Sequence, residues 1–169
     1  MPSLFLIGWV SALSPNNIVL AGEIYQEWVV NAVKRLKAFP SLFVQEGKTP
    51  FIHTALYNTR LPTPLKDALL VCALYKEKNG ANEAWISTCI NSRADHILGR
   101  LAQNRSMALE QLSFLQALIL YQIIRFFDGD IGQRSRAERT VPIMSFWTKQ
   151  LQSYMKDASG VDLVTEIDQ

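Results

Sequence analysis

Residues 114–134 read FLQALILYQIIRFFDGDIGQR, the stretch that most limits what this chain can fold into. It opens as a nearly unbroken apolar run and closes on two aspartates, two glycines and an arginine. Lipid and the interior of a helical domain are the two surroundings that accept such a run. Content and length argue against lipid. A bilayer crossing takes about 20 mostly apolar residues. Here Gln116, Gln122 and Arg125 interrupt a shorter run, and polar side chains inside a membrane are expensive. Wound as a helix, Gln111, Gln122 and Arg125 fall along one narrow strip, while nearly every other direction is apolar. A helix hydrophobic around most of its circumference belongs at the centre of a soluble bundle.

The acidic end of the stretch, Asp128-Gly129-Asp130, raises the question of a metal. Two aspartates one residue apart hold divalent cations in calcium loops and in some nucleotide-sugar transferases. The calcium-loop pattern fails here. Counted from Asp128, the sixth position is Gln133 where glycine is required, and the twelfth is Arg139 where glutamate is required. A simpler account ends one helix at Gly129 and Gly132 and lets Asp130 help start the next, where capping and the helix dipole favour a carboxylate. Arg125, three residues before Asp128 on the same helix, is placed to pair with it. Arg125, Asp128, Gly129, Asp130 and Arg134 thus form a functional or structural motif, for which no metal, no cofactor and no catalytic residue is assigned.

The rest of the chain reads as helical. Ile24, Trp28, Ala32, Leu36 and Phe39 recur at three- and four-residue steps between Gly22 and Phe39, and Pro40 is expected to stop that helix. A connection rich in Pro, Gly and Thr follows, with a short helical turn around Ile52 to Tyr57. Thr63 and Pro64 suit the start of the next helix, whose buried face is Leu65, Leu69, Cys72 and Ala73. It should end at Gly80 in a left-handed C-terminal position. From Asn82 a long helix lines up Ile86, Ile90, Ile97 and Leu101, and Ser106 is expected to cap the helix holding the opening stretch. A short charged helix should then run to Val141-Pro142, and a last one should carry Ile143, Trp147, Leu151 and Tyr154. No alternation asks for a strand. The expectation is all-α: an irregular bundle of six to seven helices, with residues 1–21 an apolar N-terminal segment, 22–157 a single helical domain and 158–169 a flexible tail.

Composition excludes several functions. A net charge of +2 with dispersed Lys and Arg does not make a nucleic-acid surface. Cys72 and Cys89 are too few for a disulfide framework or a four-cysteine zinc site, and each sits in an apolar pattern where a thiol acts as a small hydrophobe. His53 and His96 are far apart and not in a metal-ligand spacing. The run Leu4–Leu13 has the length of a signal-peptide core but no preceding Lys or Arg. No nucleophile elbow, phosphate-binding loop or dinucleotide fingerprint is present. Trp9, Trp28, Trp85 and Trp147 are expected to anchor the core.

Three segments carry a resemblance. FPSLFVQEGKTPFIHTALY, LPTPLKDALLVCALY and LQALILYQIIRFFDGDIGQR, in that order between about Ala38 and Leu151, resemble the helical regulatory (middle homology) region of fungal-specific transcription factors. Such proteins often carry a zinc-cluster or zinc-finger DNA-binding domain upstream, and many control secondary-metabolite gene clusters. The resemblance implies a nuclear or cytoplasmic, non-catalytic module that contacts a protein partner or a small effector. The closely spaced cysteines of the zinc cluster are absent, so no direct nucleic-acid contact by this chain alone is expected; no membrane contact is expected either, since the apolar run is too short and too interrupted to cross one. The alternative is a small helical biosynthetic enzyme with a site around Arg125, Asp128 and Asp130, or with His96, in a pocket.

Overall fold

The computed structural model describes residues 22–57, 60–103 and 107–164. The apolar segment 1–21, Trp9 and the Ser106 cap lie outside the described residues. Among the described residues, five α-helices and one 3₁₀-helix account for the regular structure: α1 (Gly22–Glu46), a 3₁₀ turn (Thr54–Tyr57), α2 (Thr63–Lys76), α3 (Glu83–Ala102), α4 (Ala108–Asp128) and α5 (Ile131–Val164). Among the described residues there is no named strand, only a single bridge between Thr49 and Ile52. The chain divides into two units, Met1–Leu36 and Lys37–Gln169. The described part of the first is the N-terminal portion of α1, which carries Trp28; the core and the sites below belong to the second.

The helix count is five because neither internal proline ends its helix. Pro40 lies inside α1, which continues to Glu46. A proline there removes one backbone hydrogen bond and crowds the preceding turn. Its ring is nevertheless fully buried, and Phe43 one turn on is 1% exposed. Burial of that face offsets the lost bond. The helix closes at Gly47, whose φ of +67° suits glycine and whose N–H donates to the Phe43 carbonyl at 3.0 Å.

Pro142 similarly lies within α5, so the two helices expected after Gly132 are one. Gln133, Ala137, Thr140, Trp147 and Leu151 are all buried, with Met144 partly so. Their steps of four and three residues cross the proline without a phase break, so one face of α5 stays packed on α4.

Gly80 does not end α2. The last helical residue is Lys76, and the α2–α3 turn is built by asparagines. Asn79 N–H donates to Asn82 Oδ1 at 2.7 Å, and Asn82 Nδ2 donates to the Glu77 carbonyl at 2.9 Å. Side-chain amides replace the left-handed glycine.

α4 is the centre of the second unit and packs against α2, α3 and α5. From Gln111 to Arg125 every residue is buried except Leu112 and Ile119, which are half-buried. Each fully buried Leu, Ile or Phe contributes about 1.5–3 kcal/mol, so this helix gathers much of the core. α2 supplies Leu65, Ala68, Val71 and Cys72, and α3 supplies Ile86, Ile90, Ala94, Ile97 and Leu101. The tryptophans do not behave alike: Trp147 is 8% exposed, whereas Trp28 is 46% and Trp85 55% exposed. Of the three described tryptophans, only Trp147 is a core anchor.

Candidate functional site

Two places on the second unit gather polar chemistry. The first is the junction of α4 and α5, where the sequence motif lies. The anticipated Arg125–Asp128 pair does not form. Arg125 is 1% exposed, and its Nη2 donates to Asn91 Oδ1 on α3 at 2.7 Å. The strip shared by Gln111, Gln122 and Arg125 faces neighbouring helices, so the longest cation on it turns inward to α3. Burial lowers the pKa of this guanidinium, and the charge of Asp95 opposes that shift.

Asp128 faces the other way. Its Oδ2 accepts from Lys78 Nζ at 2.6 Å and from the Tyr75 hydroxyl at 3.1 Å. Lys78 also meets Glu83 at 3.1 Å. The hydrogen bond to Asp128 is the largest cause raising the Lys78 pKa. Burial, followed by the Asp128 charge, pushes Tyr75 up to about 12.

Asp130 caps α5: its Oδ1 accepts from the Gln133 N–H at 2.7 Å, and its carbonyl accepts from the Arg134 N–H at 3.0 Å. Arg134 Nε donates back to the Gly129 carbonyl at 3.1 Å. Gly129 has φ −84° and ψ 157°, which any residue adopts, so its backbone angles do not demand glycine. Space does. A Cβ there would lie 2.5 Å from Gln133 Cβ and against the Arg125 carbonyl oxygen.

These five residues therefore point in different directions. Three of them, Arg125, Asp128 and Gly129, line a cavity with Tyr75, Ser87 and Gln133 that measures about 10 Å³, room for about one water. Arg125 Nε and Gln133 Oε1 have no hydrogen-bond partner among the described residues there. Asp128 and Asp130 also edge a groove of about 610 Å³ beside α3, with Ser87, Thr88, Asn91 and Arg136. Among the described residues no cluster of three or more His, Cys, Asp or Glu is arranged to hold a metal ion.

The second place was missed by the sequence reading. A cleft of about 200 Å³ opens between the start of α2, the C-terminal half of α3 and α4 from Glu110 to Tyr121. Its apolar walls are Pro64, Ile97 and Phe114; Thr63 and His96 also line it. Two ion pairs border it: Arg93 Nη1 to Asp67 Oδ2 at 3.0 Å, and Arg100 Nη2 to Glu110 Oε1 at 3.2 Å. The Arg100 guanidinium stands 6.0 Å from the Phe114 ring centroid. Tyr121 also lines the cleft. It is 0% exposed and its hydroxyl has no hydrogen-bond partner among the described residues. Burial raises its pKa, and the charges of Cys72, Asp67 and Arg93 act on it in turn. His96, weighed with the α4–α5 motif, belongs to this cleft instead. In the sequence, the available signal was the three-residue step Arg93–His96 and the four-residue step to Arg100, which put three basic side chains on one face of α3.

Cys72 is fully buried, and burial pushes its thiol up to about 12. It packs as a small hydrophobe and is a poor thiolate source. Among the described residues no helix is long and apolar enough to cross a membrane.

No family model matches the chain, and no solved structure matches it. Over 144 residues it is 36% identical to transcription factor gsfR2 of Penicillium aethiopicum, an alignment covering 84% of this chain and 35% of that protein. The chain thus spans about a third of the length of this curated relative. Over most of its length this chain, all-helical among its described residues, is similar to one stretch of a fungal transcription factor.

Proposed function

We propose that the chain is a regulatory helical region of a transcription factor, of the middle-homology kind found in fungal zinc-cluster and zinc-finger regulators. It acts by contacting a protein partner or a small effector, in the nucleus, in control of a secondary-metabolite gene cluster. The observation that carries this reading is the similarity to a transcription factor along 84% of the chain. Two physical features support it. The charge is too balanced for a phosphate-binding surface, at +2 over 169 residues. And α4, the segment richest in family-like sequence, is spent on packing, which leaves contacts to the outer faces of α2, α3 and α5. DNA reading then falls to groups other than these residues.

The test is a tethered reporter. The full chain fused to a heterologous DNA-binding domain should change transcription from the matching promoter by severalfold relative to the DNA-binding domain alone. An unchanged reporter at equal expression would contradict the regulatory reading. Tight promoter binding by the purified chain alone, falling steeply with salt, would contradict the assignment of DNA contact elsewhere.

A further inference from the structure

The cleft between α2, α3 and α4 has features that a packing defect lacks. Defects in helical cores are apolar and dry, whereas this space is edged by Asp67, Arg93, His96, Arg100 and Glu110 and reaches the buried Tyr121. A buried hydroxyl without a partner is unfavourable. Tyr121 is such a group, and it lines the same cleft as the Asp67–Arg93 ion pair. An oxygen atom in the cleft would give it the missing partner.

Size and charge narrow the ligand. Apolar cavities of about 150 Å³ take a benzene ring, so a cleft of about 200 Å³ takes one ring with a small substituent. Both arginines are already neutralised, by Asp67 at 3.0 Å and Glu110 at 3.2 Å. A charged ligand would have to displace one of these carboxylates. Phe114, Ile97 and Pro64 offer flat apolar walls for the ring. We infer that this cleft binds a small, uncharged, single-ring molecule whose hydroxyl or carbonyl oxygen hydrogen-bonds to Tyr121. The inference deepens the effector part of the regulatory reading and rests on that reading only for its consequence in the cell.

The experiment titrates the purified full chain with phenol, with toluene and benzoate in parallel, followed by ligand-observed saturation-transfer NMR. Phenol should bind saturably and more tightly than either comparison compound. Tyr121→Phe should weaken phenol about fivefold, the size of one neutral hydrogen bond, and leave toluene unchanged. Its melting temperature without ligand should be equal to or above that of the parent. His96→Trp, a change at an exposed position on the cleft wall, should abolish phenol binding without unfolding the chain. Absence of saturable phenol binding overturns the inference, as does equal phenol affinity in Tyr121→Phe or in His96→Trp. Benzoate binding more tightly than phenol overturns the assignment of an uncharged ligand. Binding is read on the purified chain and regulation on the reporter, so either can fail without the other.

Discussion

Arg125 holds its charge at 1% exposure against a neutral amide, Asn91, at 2.7 Å. A buried cation with one good acceptor depends strongly on that acceptor, since hydrogen bonds to charged groups contribute about 1.5–3 kcal/mol. Asn91→Ala should therefore destabilise by about 2 kcal/mol in urea unfolding. Arg125→Met keeps most of the volume and removes the charge; buried ions replaced this way are often neutral or stabilising. Half-buried Asn91 can then turn to water. Arg125→Met should thus cost less than Asn91→Ala, and the reverse order would show that the guanidinium is held by more than Asn91. At this scale the sequence was informative about residue type and poor about direction. That the helix carrying Arg125 would be central followed from its largely apolar circumference. That it would turn to α3, leaving Asp128 to Lys78 and Tyr75, depended on how three helices meet. Tyr121 was hidden for the same reason, because an unpaired hydroxyl is visible only once its surroundings are known.

Between α4 and α5 the chain changes direction within two residues, Gly129 and Asp130. The two have separable roles. Asp130→Ala removes the cap to Gln133 and should cost about 1 kcal/mol. Gly129→Ala forces a methyl group against the Arg125 carbonyl and Gln133, overpacking that costs typically 1–3 kcal/mol. Urea unfolding of both variants should rank Gly129→Ala as the more damaging; a harmless Gly129→Ala would mean that α4 and α5 can shift apart. Element identity was legible wherever an apolar stripe persisted, as in Ile86, Ile90, Ile97 and Leu101 of α3. It was misread at Pro40 and Pro142, where the local cost of proline is real but smaller than what the continuing face gains by burial. The upstream part of the α5 stripe is Gln133, Ala137 and Thr140, residues that do not announce a core.

Across the second unit, the organising feature is α4, enclosed by α2, α3 and α5. Its enclosure has a pH signature. Tyr121 and Cys72 are both 0% exposed and both have pKa values raised by burial. In the unfolded chain they lose protons near pH 10 and 8.5 respectively, while the folded chain retains them. The unfolded state then binds fewer protons, so stability must fall as pH rises, by up to about 1.4 kcal/mol per pH unit for each group. Urea midpoints should decline above about pH 9. Tyr121→Phe should make the decline shallower above about pH 10; an unchanged slope would mean that Tyr121 ionises freely in the folded chain.

The same enclosure bears on the proposed function, because the proposed regulatory surface on the outer helices requires that α4 hold them together. Leu118 lies at 0% exposure in the middle of α4. Leu118→Asp buries an unpaired charge and should remove more than about 4 kcal/mol, enough to unfold the unit. The decisive measurement is reporter transcription driven by the tethered full chain and by its Leu118→Asp variant at matched protein levels. The expected result is a severalfold change with the parent chain and none with the variant. A parent chain without effect, or a Leu118→Asp variant as active as the parent, would contradict the claim that this helical fold is a regulatory region.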